Sequence, residues 1–170
     1  MNGGAGIGGI TREEGTAPSH WASYLSVPEV DASYKRALSN GANSSLPPMD
    51  FGPVGRAASV ADPTGAAVML WKGAQGDRPD AEPTPVGDWT WCELHTSDTA
   101  SALAFYENTF DFSHDTMDMG PMRTYYSLEG PDGKMRGGLM KGNHFPRCAT
   151  HGYPMCRWRI ATPARPWRSA

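Results

Sequence analysis

The stretch from Gly87 to Phe110 constrains the fold most, because it predicts a strand followed directly by a helix. In its first half, Trp, Glu and His residues alternate with Thr, Cys and Leu, the period of two that is typical of a half-buried strand. Ser97 or Asp98 can then cap the first free amides of a helix. The apolar residues of that helix recur at helical spacing: Ala102, Phe105, Tyr106 and Phe110. The pattern predicts a helix that lies back on its own sheet.

An earlier part of the chain predicts the same order of elements. A strand over 20–27 leads to a helix over 31–38, and Gly41 can supply the left-handed residue that ends it. The helix residues predicted to face inward are Val30, Tyr34 and Leu38. Three strands follow, at 46–51, 55–61 and 66–71. The last two are joined by the turn sequence Asp62-Pro-Thr-Gly65, so the region predicts a complete βαβββ module.

The later copy is completed by three further strands, predicted near 112–119, 122–128 and 135–141. The sequence Gly130-Pro-Asp-Gly133 has the same turn role as the one that ends at Gly65. A Pro-rich linker separates the two copies. The predicted organisation is a residual edge strand or flexible N-terminus over 1–18, a module over 19–72, a linker over 73–87, a module over 88–141, and an irregular basic tail over 142–170.

The motif W-x-E-L-x-T-x-D-x-x-x-A-x-x-F-Y, from Trp91 to Tyr106, resembles the opening of a βαβββ module in the vicinal oxygen chelate superfamily. That family includes glyoxalases, bleomycin-resistance proteins and extradiol dioxygenases. The match continues to about Lys141, and a second one covers roughly Ser19 to Lys72. Within that family, the motif is most similar to the tandem-domain branch, in which a Trp replaces a first-strand metal ligand. The resemblance implies an α+β fold of paired βαβββ modules, with the second module followed by the first.

A repeat at longer period suggests a truncated and permuted fragment. Gly8-Gly-Ile-Thr11 resembles Gly137-Gly-Leu-Met140, an offset of 129 residues that is close to one double-module domain. In family members the modules follow one another along the chain in the order first, second, first, second. From Thr150 onward, the back-translated chain shifted by one base permits a sequence that resembles the strand beginning at His20. We therefore expect the tail to be a frameshift product without selected structure, which the nucleotide sequence of the gene would test.

Charge and composition narrow the partners. The formal net charge is -3, but five Arg and no acidic residues follow Gly142, which leaves ten basic against eighteen acidic residues before it. An acidic body favours cationic ligands and predicts no nucleic-acid binding. Three cysteines make no disulfide framework, and no apolar run approaches the ~20 residues of a membrane span. We expect a cytoplasmic protein that does not enter a membrane.

The resemblance also implies where a divalent metal ion would be held, by a ligand from the first strand and another from the last strand of each module. Those places fall near Ala22, Trp91, Met69 and Gly138. None of these side chains suits a hard or borderline cation. The sequence therefore predicts no metal and no other cofactor.

The resemblance and the aromatic content together predict a ligand-binding cup shared by the two modules. Its expected lining is Trp21, Tyr24, Met69, Trp89, Trp91, Glu93, His95 and Tyr125. Glu93 and His95 could be an acid/base pair facing the cavity, or could satisfy each other at the sheet edge. The cup could close within one chain or by exchange across a homodimer.

The predicted function is therefore that of a protein that binds or sequesters a small aromatic or cationic molecule. One alternative is a metal-dependent enzyme of the glyoxalase or dioxygenase type. Another is a truncated fragment that folds but binds nothing.

Overall fold

The computed structural model describes residues 10, 12, 22–76, 91–120 and 124–142. Its elements are β1 Tyr24–Ser26, α1 Val30–Ser39, β2 Asn43–Asp50, β3 Gly55–Ala61, β4 Ala67–Gly73, β5 Glu93–Thr96, α2 Thr99–Phe110, β6 Ser113–Asp118, β7 Thr124–Glu129 and β8 Met135–Lys141. We number the modules by their order in this chain: β1–α1–β2–β3–β4 is module 1, and β5–α2–β6–β7–β8 is module 2. The predicted α+β fold of paired βαβββ modules is confirmed. The expectations for the N-terminal segment 1–18 (apart from residues 10 and 12), for most of the linker and for the tail beyond residue 142 lie outside the described residues.

Each module builds its own four-stranded sheet, in the orders β1-β4-β3-β2 and β5-β8-β7-β6. The first strand pairs in parallel with the last, so that Tyr24 lies opposite Met69 in module 1 and Glu93 opposite Gly138 in module 2. Corresponding residues of these strands are therefore 69 positions apart in the sequence. The first strand of each module remains at an edge of its sheet.

One face of each sheet is covered by the helix of the same module. Phe105 of α2 and Leu139 of β8 are almost completely buried, as the predicted apolar face requires. In α1 the buried residues are Val30 and Ala37, one heptad apart, and Leu38 is 37% exposed. The prediction that Leu38 faces inward was wrong, because its neighbour Ala37 occupies the inward position. No helix in the described part of the chain is long and apolar enough to span a membrane.

The predicted local signals position these elements. Asp98 is the N-cap of α2, and its carboxylate accepts the Ser101 N–H at 3.0 Å. The two hairpin turns end on Gly65 and Gly133, with φ of 92° and 73°, values that side chains with a Cβ rarely adopt. Each of these turns leads into the last strand of its module, which then pairs with the first strand.

The two modules pack together within one chain, and residues at equivalent positions meet each other. Ser23 Oγ lies 3.2 Å from Cys92 Sγ, and Asn40 Nδ2 donates to Thr109 Oγ1 at 3.2 Å; both pairs are separated by 69 residues. Equivalent residues contact each other where a twofold axis passes between them. The modules are therefore related by an approximate twofold axis that runs from the edge strands to the helix ends.

Two further contacts join the modules without this symmetry. Arg36 donates to both carboxylate oxygens of Asp111, at 2.7 and 2.5 Å. Asp62, which is 1% exposed, accepts a hydrogen bond from Tyr106 at 3.3 Å on one oxygen. Its other oxygen accepts the Thr64 N–H and hydroxyl and the Ala66 N–H, each at 2.8 Å. Asp62 therefore organises its own turn and also holds α2 of the other module.

Candidate functional site

The faces of the two sheets that do not carry helices provide the candidate site. Strand register assigns side chains to them, because directly opposed residues project to the same side. In module 1 this open face carries Tyr24, Met69 and Trp71, since Leu25 and Leu70 between them face the core. In module 2 it carries Glu93 and His95, with Leu94 facing the core.

Module 1 presents an aromatic wall, made by Tyr24, Phe51, Met69 and Trp71. The Trp71 ring centroid lies 6.0 Å from that of Tyr24 in an edge-on arrangement and 6.4 Å from that of Phe51. The Trp71 ring lies over Gly55, where a Cβ would come within 2.7 Å of it. Tyr24 is 60% exposed and Phe51 is 42% exposed. A cluster of accessible rings of this kind can stack against a planar ligand.

Module 2 presents a polar wall, made by Trp91, Glu93, His95 and Tyr125. Trp91 Nε1 donates to the Tyr125 hydroxyl at 2.8 Å, and that hydroxyl donates to Glu93 Oε1 at 3.2 Å. His95 Nε2 lies 3.4 Å from Glu93 Oε2. The indole, phenol, carboxylate and imidazole thus form one chain of polar contacts along the open face.

The Tyr125 phenol stays protonated over an extended pH range. Burial and the neighbouring Glu93 carboxylate raise the pKa of Tyr125 to about 12, against the opposing effect of the Trp91 hydrogen bond. A neutral phenol can donate its proton to Glu93 while it accepts from Trp91. The direction of the two hydrogen bonds that involve this phenol is therefore fixed near neutral pH.

The places where the family resemblance implies metal ligands do not fit a metal ion. Met69 and Gly138 occupy corresponding last-strand positions, and their backbone N–H groups donate to the carbonyl oxygens of Ser23 and Cys92, the residues after Ala22 and Trp91. A Cβ at Gly138 would overlap the hydroxyl of Tyr125, so this phenol fills the space that a ligand side chain would need. In the residues that the structure describes, no three His, Cys, Asp or Glu side chains gather into a metal-binding group.

A cavity of about 150 Å³ lies at the seam between the modules. Tyr24 and Glu93, which occupy corresponding positions, both contribute to its wall, and so does Gly138. Its remaining lining includes apolar side chains from the core of both modules: Leu25, Val68, Leu94, Tyr106, Phe112 and Leu128. The volume is roughly that in which a single benzene ring fits. One residue of each wall, Tyr24 of the aromatic wall and Glu93 of the polar wall, therefore also lines the cavity.

Of the predicted cup residues, Trp91, Glu93, His95 and Tyr125 are brought together by direct polar contacts. Tyr24 and Met69 lie side by side on the other module. Trp21 and Trp89 lie outside the described residues. The contacting Glu93 and His95 are also only partly exposed, with side-chain exposures of 25% and 11%.

Sequence reasoning missed Phe51 and Arg136 as neighbours of the site. Phe51 follows the end of a strand, and it reaches Trp71 because the chain turns back at Gly55. Arg136 lines the seam cavity two residues before Gly138. The period of two along β8 was not a usable signal for Arg136, because the register of β8 against β7 shifts between Met135 and Gly137.

Comparison with known proteins gives relatives that are longer than this chain. No family model matches the chain. The chain is 34% identical over 124 residues to CFP32 of Mycobacterium bovis and of Mycobacterium tuberculosis, which are named as glyoxylases; the match covers 73% of this chain and 47% of theirs. It is 39% identical over 93 residues to the anthracycline biosynthesis protein DauV of Streptomyces sp. strain C5, covering 54% of this chain and 33% of DauV. The chain thus spans about half the length of the mycobacterial relatives.

The fold has a counterpart among solved structures. A triple mutant of 4-hydroxymandelate synthase from Streptomyces coelicolor superposes with a TM-score of 0.50 at 18% sequence identity. The superposition covers 79% of this chain and 47% of that enzyme. At this level of identity the match shows a shared fold.

Proposed function

Because this chain belongs to the vicinal oxygen chelate superfamily as a glyoxalase-like member, we propose that it binds a planar aromatic small molecule without using a metal ion. One part of the ligand enters the seam cavity, and the remainder stacks on the aromatic wall. The polar wall fixes the orientation of the ligand. The protein sequesters or carries this molecule without transforming it.

The observation that carries this proposal is the position of Tyr125 over Gly138. A family-type metal site needs a ligand side chain from the last strand of each module. Module 2 offers Gly138 there, with the Tyr125 phenol in the space above it, and module 1 offers the thioether of Met69. Hard and borderline divalent cations prefer carboxylate or imidazole ligands to these groups.

The aromatic class of ligand is supported by the other wall. Exposed Tyr24 and Phe51 flank Trp71, and an exposed aromatic cluster beside a cavity is typical of a small-molecule site. The names of DauV and of DnrV from Streptomyces peucetius refer to anthracycline biosynthesis. Anthracyclines are planar polycyclic compounds, so they are suitable first ligands for this chain.

The proposal includes a cytoplasmic protein in which one chain completes the site. Both walls and the seam cavity come from the same chain, so exchange of modules across a homodimer is not required for binding. We expect one ligand per chain at concentrations where the protein is monomeric. Sedimentation of the protein with a coloured ligand would measure the oligomeric state and the number of ligands bound per chain in one experiment.

The competing function is that of a metal-dependent enzyme, and it is favoured by the glyoxylase names of the mycobacterial relatives. Metal analysis of protein purified without chelators separates the two proposals. Tightly bound Fe, Mn, Ni or Zn at one ion per chain would reject the binding-only function. A fragment that binds nothing would show neither metal nor any response to ligands.

The direct test is thermal unfolding with a panel of planar aromatic molecules, including daunorubicin and its sugar-free aglycone. A ligand at 100 times its Kd stabilises the native state by about 2.7 kcal/mol, which raises the melting temperature. Tyr24→Ser should reduce the shift, because it removes a ring that lines the cavity. Met135→Ser is the matched control, since Met135 is also 60% exposed but lies outside the aromatic wall. An unchanged melting temperature across the whole panel would refute the proposal.

A further inference from the structure

Glu93 is one of the residues that line a cavity whose other side chains are mostly apolar. Its side chain is 25% exposed, so it is partly withdrawn from water while it still reaches the cavity. An electrostatic contact in such a place is stronger than in bulk water, because the surrounding medium screens it less. A ligand with a complementary charge would gain from this position.

The contacts that Glu93 already makes leave room for another donor. The Tyr125 hydroxyl donates to Oε1 at 3.2 Å, whereas O–H···O bonds are usually near 2.7–2.8 Å. The His95 contact to Oε2 is 3.4 Å long. A carboxylate has about four lone-pair positions, so two long contacts use only part of its accepting capacity. The carboxylate is held in place but can accept further hydrogen bonds.

The neighbours of Glu93 fix its orientation. Trp91 holds the Tyr125 phenol at 2.8 Å, and the same phenol lies across Gly138. His95 supports the other oxygen of the carboxylate from the same strand. These side chains therefore position Glu93, which reduces the entropy lost when a ligand binds to it.

Among the described residues, the other charged side chain in the cavity lining belongs to Arg136. Its Nη2 donates to Asp132 Oδ2 at 2.6 Å, within the turn that precedes β8. The guanidinium charge is thus matched by a neighbouring carboxylate. On the opposite side of the seam, Tyr24 supplies an aromatic ring at the position that corresponds to Glu93.

We propose that Glu93 is the specificity-determining residue of this site, and that it binds a protonated amine carried by the planar aromatic ligand. The amine enters the seam between Glu93 and the Tyr24 ring, where it gains a charge-assisted hydrogen bond and a cation–π contact. The inference rests on the proposed function and narrows its ligand class from planar aromatic molecules to those with a cationic nitrogen.

The test compares daunorubicin, which has a protonated amine, with N-acetyldaunorubicin, which keeps the ring system but lacks the charge. Binding to the full chain is followed by the fluorescence of the drug and by calorimetry. Wild type should bind daunorubicin at least about tenfold more tightly than the acetylated form, as one hydrogen bond to a charged group implies. Glu93→Gln should remove this preference, because it should weaken the binding of daunorubicin far more than the binding of N-acetyldaunorubicin.

Two variants control for structure and for general charge. Glu93→Asp retains the charge and should keep part of the preference, even if Glu93→Gln folds poorly. Glu129→Gln changes a partly buried strand glutamate of the same module that lies outside the cavity lining, and should leave both affinities unchanged.

The outcomes separate this inference from the proposed function. If both drugs bind wild type equally, or if Glu93→Gln weakens both equally, Glu93 does not recognise the amine, and the binding function stands alone. If neither drug nor any other planar molecule of the panel binds, the proposed function itself fails. A preference for daunorubicin that persists in Glu93→Gln would place the cation site elsewhere.

Discussion

The two modules share a backbone plan but present opposite chemistry on their open faces. Where β3 of module 1 has Ala57 opposite Trp71, β7 of module 2 has Tyr125 opposite Met140. Two residues before Trp71 and Met140 on the same strands, Met69 in module 1 corresponds to Gly138 in module 2. Module 1 carries its large ring, the indole of Trp71, on its last strand β4. Module 2 instead carries the hydrogen-bonded phenol of Tyr125 on β7, the strand beside its last strand.

The comparison shows that the helix-covered face and the open face obey different constraints. The covered face must remain apolar and close-packed, as Leu70 and Leu139 illustrate by being completely buried at similar places. The open face only has to place a similar volume of side chain over the sheet. The same fold can therefore carry an aromatic wall in one copy and a polar wall in the other.

The largest expected effect concerns Asp62, a buried carboxylate whose counterpart in the second turn is Gly130. Asp62→Ala should destabilise the protein by about 3 kcal/mol, because it leaves buried N–H and O–H donors without an acceptor. Urea unfolding gives the free energy directly. Asp132→Ala in the module 2 turn is the matched control and should cost much less, because Asp132 is exposed. Equal losses from both variants would show that the turns are not as different as the structure indicates.

Gly138→Ala should have the next largest effect, about 1–3 kcal/mol, because the added methyl group displaces Tyr125. Met69→Ala at the corresponding position of module 1 creates no overlap and should cost less. Tyr125→Ala combined with Gly138→Ala should cost clearly less than the sum of the single changes. Additive losses would mean that Tyr125 does not occupy the space above Gly138.

A smaller loss is expected from Arg36→Ala, which removes the ion pair between the modules. Both side chains are about half exposed, so solvent screens the pair, and the fall in melting temperature should be well below that of Asp62→Ala. High salt should shrink the difference between wild type and variant further. Arg56, which pairs with Asp31 inside module 1, provides the matched intramodule control.

The smallest effect at neutral pH is expected from the Tyr125 proton, because its contribution changes only in alkaline solution and should be confined to module 2. Since folding raises the pKa of Tyr125 from 10.0 to about 12, the folded state holds this proton more tightly than the unfolded chain does. The associated stability is complete below pH 10 and is lost as the pH rises toward 12. Absorbance at 295 nm should show a tyrosine that ionises late, and Tyr125→Phe should abolish that phase. Tyr24→Phe should leave it unchanged.

Much of the fold was predictable, because its signals are local. Alternation in β5, the cap at Asp98 and the turn glycines Gly65 and Gly133 each depend on a few adjacent residues. Leu38 was assigned wrongly because Ala37 and Leu38 are both apolar, and periodicity alone did not select the smaller one for the interface. Only the packing distance between helix and sheet decides that choice.

The side chains of the candidate site were predicted as a group, but their arrangement was not. Strand period placed Glu93 and His95 on one face with Trp91, and residue type added Tyr125 to the expected cup. The hydrogen bond from Trp91 to Tyr125 joins residues 34 positions apart, and it depends on strand register and on the space above Gly138. Ser23 and Cys92 meet only because the modules pack about a common axis, which no pattern within either module specifies.

That axis has a consequence for how a guest molecule is held. The backbone around the seam looks the same after a half turn, but an aromatic ring stands on one side and a carboxylate on the other. A dimer of two identical modules would offer any asymmetric guest two equally good poses. The difference between the two modules removes that degeneracy, so a bound molecule with distinct ends would be held one way round, with the same edge always turned toward solvent.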